Sequence, residues 1–218
     1  LLECGSDVQR SEPSTDLTVT GGGENILIDT GQVRVSIPAV QGGDVLLSSF
    51  TRPEGPSYGP VRGVLRQQMQ GWTRRHVARP EVVTVEEDGP VRASVRIEGQ
   101  LCDDEGNGIG PFTARLWAWA GCPLLSFTFR IFQQSEQLVA MIDDLSLEMQ
   151  SPFGGATMAS FSREMSPRPL PEGQLRELHL QQEEPHSYVV KGKRDETVEE
   201  GRHAAGWVNV RGEGGSAG

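Results

Sequence analysis

The chain has 218 residues, a formal net charge of −10 and a hydrophobic fraction of 36%, enough length for one large or two small domains with a sizeable core. The acidic balance weighs against nucleic acid, whose phosphates need clustered Lys and Arg, and against anionic membrane surfaces. With 27 glycines and 14 prolines the composition favours many short strands and turns, and no apolar run approaches the roughly 18 residues of a spanning helix.

Residues 1–10, LLECGSDVQR, have neither the basic nor the apolar region of a signal peptide. With no initiator Met, the sequence reads as a fragment of a longer protein, which leaves its compartment open. Residues 1–23 form a lead-in ending in the flexible GGG at 21–23. ENILIDTGQVRVSIPAVQGGDVLLSSF at 24–50 predicts three short strands, with turns at Thr30-Gly31 and at 41–43. In the middle one Val33, Val35 and Ile37 face one way, Arg34 and Ser36 the other. Residues 52–71 read as loop. EVVTVEEDGPVRASVRIEGQL reads as a hairpin turning at Asp88-Gly89-Pro90, and DDEGNGIGP at 103–111 as the next turn. FTARLWAWAG, LLSFTFRIF and LVAMIDDLSLEM continue the meander, a turn falling every ~8–12 residues, as in a sandwich or small barrel. No proline falls inside the strands taken as central. After Gln150 the texture turns loop-forming and charged, although LRELHLQQ and HSYVVKG could be strands, and GEGGSAG at 212–218 reads as a turn or tail.

Few residue sets here carry chemistry. Trp117 and Trp119 share one strand face with Thr113 and Arg115; Phe112, Ala114, Leu116 and Ala118 share the other. Either face could be the core. Aromatic residues on a barrel strand pack more often than they bind, so the tryptophans read as packing first and as a sugar-stacking platform second. GWTRRHVARP at 71–80 is the densest basic stretch. A polyuronate lyase needs a carboxylate neutraliser, a base and an acid, and Arg74, Arg75, His76 and nearby Tyr58 form the local set with those side chains. The plainer reading is a solvated strand whose arginines pair with Glu86, Glu87 and similar residues.

The adjacent pairs Asp103-Asp104 and Asp143-Asp144 point to opposite sides of a strand and make no acid–base couple. The turn at 103–108 lacks the spacing of a calcium loop, and its Asp, Asn and Gly are what a hairpin turn demands. His76, His179, His186 and His203 show no ligand spacing, and Cys4, Cys102 and Cys122 make neither a disulfide framework nor a metal motif. No cofactor or metal is expected, since no nucleotide, phosphate-loop or nucleophile-elbow motif occurs.

The phrases DTG at 29–31, EEDGPVRASVRIEG at 86–99 and ARLWAWAGCPLL at 114–125, with the IDDLSLEM strand, resemble one family of proteins. It is the exo-rhamnogalacturonan lyase-like (YetA-like) family of polysaccharide lyases. GRHAAGWVNVRGEG at 201–214 is similar to the opening of that family's next block. The resemblance implies an all-β chain: an N-terminal RIFT-type β-barrel over 24–150, then a truncated start of a central β-sandwich over 151–218. It also implies action on pectic rhamnogalacturonan by β-elimination, with an acidic polysaccharide as partner and the remainder of the cleft in an α/α toroid. The alternatives are a non-catalytic carbohydrate-binding or scaffolding β module and an accessory domain of a glycoside hydrolase. No catalytic residue carries over from the family; Arg74, Arg75, His76, Tyr58, Trp117 and Trp119 stand as substrate-binding candidates.

Overall fold

A computed structural model of the chain describes residues 13–39, 42–132, 141–150, 156–161, 168–169, 178–184, 187–192, 196–202, 208–212 and 215–217. Cys4, His186 and His203 lie outside them. The described residues are all-β and contain no helix. The chain divides into two compact units, residues 1–150 and 151–218.

The first unit holds two antiparallel sheets. β1 (Thr18–Gly21), β2 (Asn25–Asp29), β3 (Arg34–Pro38), β4 (Ser49–Thr51) and β5 (Ser57–Tyr58) follow one another as a five-stranded meander. β6 (Val61–Met69), β7 (Trp72–Asp88), β8 (Arg92–Cys102), β9 (Gly108–Trp119), β10 (Leu125–Ile131) and β11 (Ile142–Met149) form a six-stranded sheet in the order β10-β9-β8-β7-β6-β11. Alternation builds the core between the two sheets. Ile26, Ile28, Val35 and Ile37 come from the small sheet, and Ala93, Val95, Ile97, Phe112, Ala114, Leu116 and Ala118 from the large one. The expected facing of Val33, Val35 and Ile37 holds; all three are buried.

The large sheet is strongly curled. A Cβ built on Gly63 of β6 would lie 2.7 Å from Cζ of Phe129 on β10, although three strands separate β6 from β10 in the sheet. Leu65, Leu101, Ile109, Ile131 and Ile142, from five strands of this sheet, line an apolar pocket. Twist accumulating across strands produces this curl, and glycine at 63 lets Phe129 come in so close.

Two sequence expectations change. Residues 61–69, read as loop, are a nine-residue strand with buried Val61, Val64 and Leu65. The prolines and glycines that suggest loop occupy 53–60 instead, where Gly59 has φ +118° and the Gly59-Pro60 bond is cis. Proline also lies inside central strands: Pro80 sits in β7, where the register shifts between Pro80 and Val82, and Pro111 sits in β9 opposite Gln100. A bulge is where a sheet tolerates a residue without an N–H. Opposite Pro80, a Cβ on Gly99 would overlap the Arg79 carbonyl, so the backbones approach as only glycine permits.

The second unit contains a four-stranded sheet of β13 (Arg168–Pro169), β12 (Ala156–Phe161), β17 (Val208–Gly212) and β18 (Gly215–Ala217) in that order. A three-stranded sheet runs β14 (Leu178–Glu184), β15 (Ser187–Gly192), β16 (Thr197–Gly201). Both LRELHLQQ and HSYVVKG thus contribute strands. Tyr188 and Val190 are buried, and Gly201 faces the Tyr188 ring so closely that a Cβ there would overlap it.

Candidate functional site

The basic stretch lies on β7, and strand alternation divides it. Arg75 pairs with Arg66 across the strands; its guanidinium donates to Glu148 Oε2 at 3.0 Å, and Arg66 donates to Glu148 Oε1 at 2.7 Å and to Asp144. Burial works to raise the Glu148 carboxyl, but hydrogen bonds from Arg75 and Arg66 outweigh it and hold it below its ordinary value. Arg74 and His76 share the opposite face. Arg74 lies over the Trp72 ring at 4.9 Å and 3.4 Å from Asp103 Oδ2. His76 is 3% exposed, opposite buried Leu65, and its Nδ1 finds no hydrogen-bond partner; burial lowers its pKa. Tyr58 lies in the other sheet, buried and stacked on Phe50 with ring centroids 5.2 Å apart. The four residues expected to act as one carboxylate-handling set therefore do not share a face. Two of the arginines are held by carboxylates, and the histidine is sealed.

Asp103 is a turn residue. Its Oδ1 accepts the N–H groups of Glu105 and Asn107 at 3.0 and 2.8 Å, its Oδ2 accepts Asn107 Nδ2, and its carbonyl accepts Arg79 Nη2 at 3.1 Å. The Asn107 side-chain bond, with these backbone donors, holds the carboxyl below its ordinary value. This fits the hairpin-turn reading of 103–108. Among the described residues no group of three or more His, Cys, Asp or Glu side chains is placed to hold a metal ion, and Cys102 and Cys122 are unpaired.

Burial fixes which face of β9 is the core. Phe112, Ala114, Leu116 and Ala118 form the core side of β9, each at most 1% exposed, so Trp117 and Trp119 lie on the outer side, half-buried. On the core side the small Ala114 and Ala118 let the two sheets close. Around the indoles the outer face is polar. Trp117 is flanked by Ser94 of β8 and Ser126 of β10, Trp119 by Arg92, and Arg115 by Arg96 and Thr128. Arg115 donates from Nε and Nη2 to the two oxygens of Glu86 at 2.9 and 3.1 Å, and this pairing raises its pKa. Arg96 Nε lies 3.3 Å from Glu86 and 3.5 Å from Glu98, and Arg92 pairs with Glu87. The Arg96 contacts are charge proximity without hydrogen-bond geometry, since that Nε has no aligned acceptor.

Two antiparallel sheets closed on one core define a β-sandwich, one of whose sheets carries a polar, tryptophan-bearing outer face. The family model described as "PcRGLX-like protein central beta sandwich domain" matches residues 17–165. The chain belongs to this rhamnogalacturonan lyase-like family, as the DTG and ARLWAWAGCPLL phrases suggested. The description assigns the matched residues to a central sandwich, where the sequence reading expects an N-terminal barrel with the sandwich beginning at 151. Both architectures are built from the same alternating hairpins, so a meander pattern does not separate them. Among curated proteins, none matches the chain.

Proposed function

We propose that this chain is a substrate-holding sandwich module of a lyase-type protein that acts on pectic rhamnogalacturonan by β-elimination, and that the outer face around Trp117 and Trp119 holds the glycan. On this reading residues 17–165 are the central sandwich of that protein. The family membership supports the substrate class. The observation that carries the site is the parity of β9: two indoles two residues apart, on the side of the sheet away from the core, among serines, threonines and arginines. Indoles present a flat apolar face and an N–H, the combination that fits a pyranose ring with its hydroxyls. Eliminative chemistry needs a base at the carbon α to the carboxylate and an acid at the leaving oxygen on the β carbon, both within reach of one sugar linkage, and the division of Arg74, Arg75, His76 and Tyr58 among different surfaces favours holding over catalysis here.

The test is titration calorimetry of the chain with rhamnogalacturonan oligosaccharides, beside ultraviolet absorbance of the unsaturated uronate product. Binding without product is expected, with affinity lowered at least tenfold in a Trp117→Ala, Trp119→Ala double variant. Turnover by the chain, or binding indifferent to both tryptophans, contradicts the proposal.

A further inference from the structure

Resting on that reading of the outer face, we infer that Arg130 is the residue by which the face selects uronate-bearing glycans. Arg130 lies on β10 opposite Thr113, on the same side of the sheet as Trp117 and Arg115, and it is exposed. Among the described residues β10 is an edge strand, so no described strand pairs with it beside Arg130 on that side. The other arginines beside the tryptophans lie against carboxylates: Arg92 and Arg115 are hydrogen-bonded to Glu87 and Glu86, and Arg96 is held near Glu86 by charge proximity. Arg130 has no carboxylate partner among the described residues. Around the tryptophans, Arg92, Arg96, Arg115 and Arg130 stand near Glu86, Glu87 and Glu98, in a chain whose net charge is −10. An anionic polymer repelled by the net charge of the chain finds here a planar fork with no carboxylate partner among the described residues, suited to a carboxylate.

The spacing fits a chain of sugars. Ser126, Thr128 and Arg130 alternate outward along β10, and Ser126 pairs with Trp117. Four residues of strand place Arg130 about 13 Å along from the Trp117 row, with the Thr128 hydroxyl between. A single sugar cannot reach both ends; an oligosaccharide stacked on Trp117 and Trp119 can, with the carboxylate of a uronate further along at Arg130. The ligand is therefore a glycan that alternates neutral and uronate rings or consists of uronates. A carboxylate polymer without pyranose rings lacks what the indoles recognise.

The experiment titrates the chain with three probes: rhamnogalacturonan oligosaccharide, the same oligosaccharide with its carboxyls reduced to alcohols, and polyglutamate. The unsubstituted chain is expected to bind the acidic oligosaccharide at least tenfold more tightly than the reduced one, and polyglutamate more weakly than either. Arg130→Gln removes the preference and leaves affinity for the reduced oligosaccharide unchanged. Arg130→Lys, which keeps the charge and loses the fork, retains part of it. Trp117→Ala weakens both oligosaccharides alike. A preference that survives Arg130→Gln overturns the role of Arg130 while leaving the tryptophan platform standing. Oligosaccharide binding unaffected by Trp117→Ala overturns the platform itself. Polyglutamate bound as tightly as the acidic oligosaccharide, with the same loss in Arg130→Gln, makes the residue a general anion contact and overturns the glycan assignment.

Discussion

The hydroxyl of Thr30 lies 3.1 Å from the carbonyl oxygen of Cys122, 92 residues further along the chain. Gly121 N–H returns a bond to the Thr30 carbonyl at 2.8 Å, so the turn after β2 is tied to the turn between β9 and β10. The Thr30 hydroxyl also accepts the N–H groups of Gln32 and Val33, and Asp29 accepts from Gly31 N–H and from both Nε and Nη2 of Arg34. DTG and the AGCP within ARLWAWAGCPLL thus meet as one joint between the two sheets. Thr30 is fully buried. Thr30→Val keeps the shape and orphans these partners, so a loss of about 1–3 kcal/mol is expected in denaturant unfolding. A variant as stable as the original chain would show that the joint is incidental.

Glycine at two places is a packing requirement. A Cβ at Gly63 presses on Phe129, and one at Gly99 overlaps the Arg79 carbonyl and lies 3.0 Å from Phe112. A phenyl ring can shift and a paired backbone carbonyl cannot. Gly63→Ala is therefore expected to lose roughly 1–3 kcal/mol, the usual range for overpacking, and Gly99→Ala to lose more. Urea midpoints of the two variants check the order; Gly63→Ala as the worse of the two would contradict the backbone approach at the Pro80 bulge.

Acid stability separates into two windows. Burial lowers the folded pKa of His76 from 6.5, so below about pH 6.5 the unfolded chain takes up a proton that the folded chain refuses. Stability is complete above that value and falls as pH drops through it. The carboxyl of Asp103 is lowered from 3.8 by its turn bonds, so its contribution is complete above 3.8 and is lost as pH falls further, towards its folded value. Chemical denaturation across pH 3 to 8, read as the slope of stability with pH, should lose its upper step in His76→Gln and keep the lower one. Asp103→Asn should keep the upper step and shrink the lower one, to which Asp29, Glu87 and Glu148, also held below their ordinary values, contribute.

The ion pairs around Glu148 are half-exposed, with side-chain exposures of 37–42% for Arg66, Arg75 and Glu148. Pairs of this kind contribute about 0.2–1 kcal/mol. Arg75→Gln is expected to stay within that range in stability and to leave oligosaccharide affinity unchanged. A tenfold loss of affinity would return Arg75 to the site.

Much of the architecture was legible. Hydrophobic alternation at Val33, Val35 and Ile37 and the Asp88-Gly89-Pro90 turn are local signals, set by period and backbone conformation, and the structure keeps both. What failed depended on register. Residues 61–69 looked like loop because breakers precede them, and Pro80 needed a bulge that no local pattern announces. Which side of β9 is core turns on whether Ala114 and Ala118 leave room for a sheet or line up beneath the indoles, which is settled by the second sheet. The division of Arg74, Arg75 and His76 follows from period-2 alternation once GWTRRHVARP is taken as strand. The side on which Arg130 lies is fixed only through the pairing of β10 with β9.

The central claim, that the Trp117 face holds glycan while the Leu116 face holds the fold, is tested most directly by parallel measurement of stability and oligosaccharide affinity in Trp117→Ala, Trp119→Ala and Leu116→Ala. Leu116→Ala should lose about 2–5 kcal/mol of stability and, where folded, keep its affinity. The tryptophan variants should lose at least tenfold in affinity and less stability than the 3–5 kcal/mol typical of a buried Trp→Ala. Tryptophan variants with core-sized losses of stability and undiminished affinity would contradict the account.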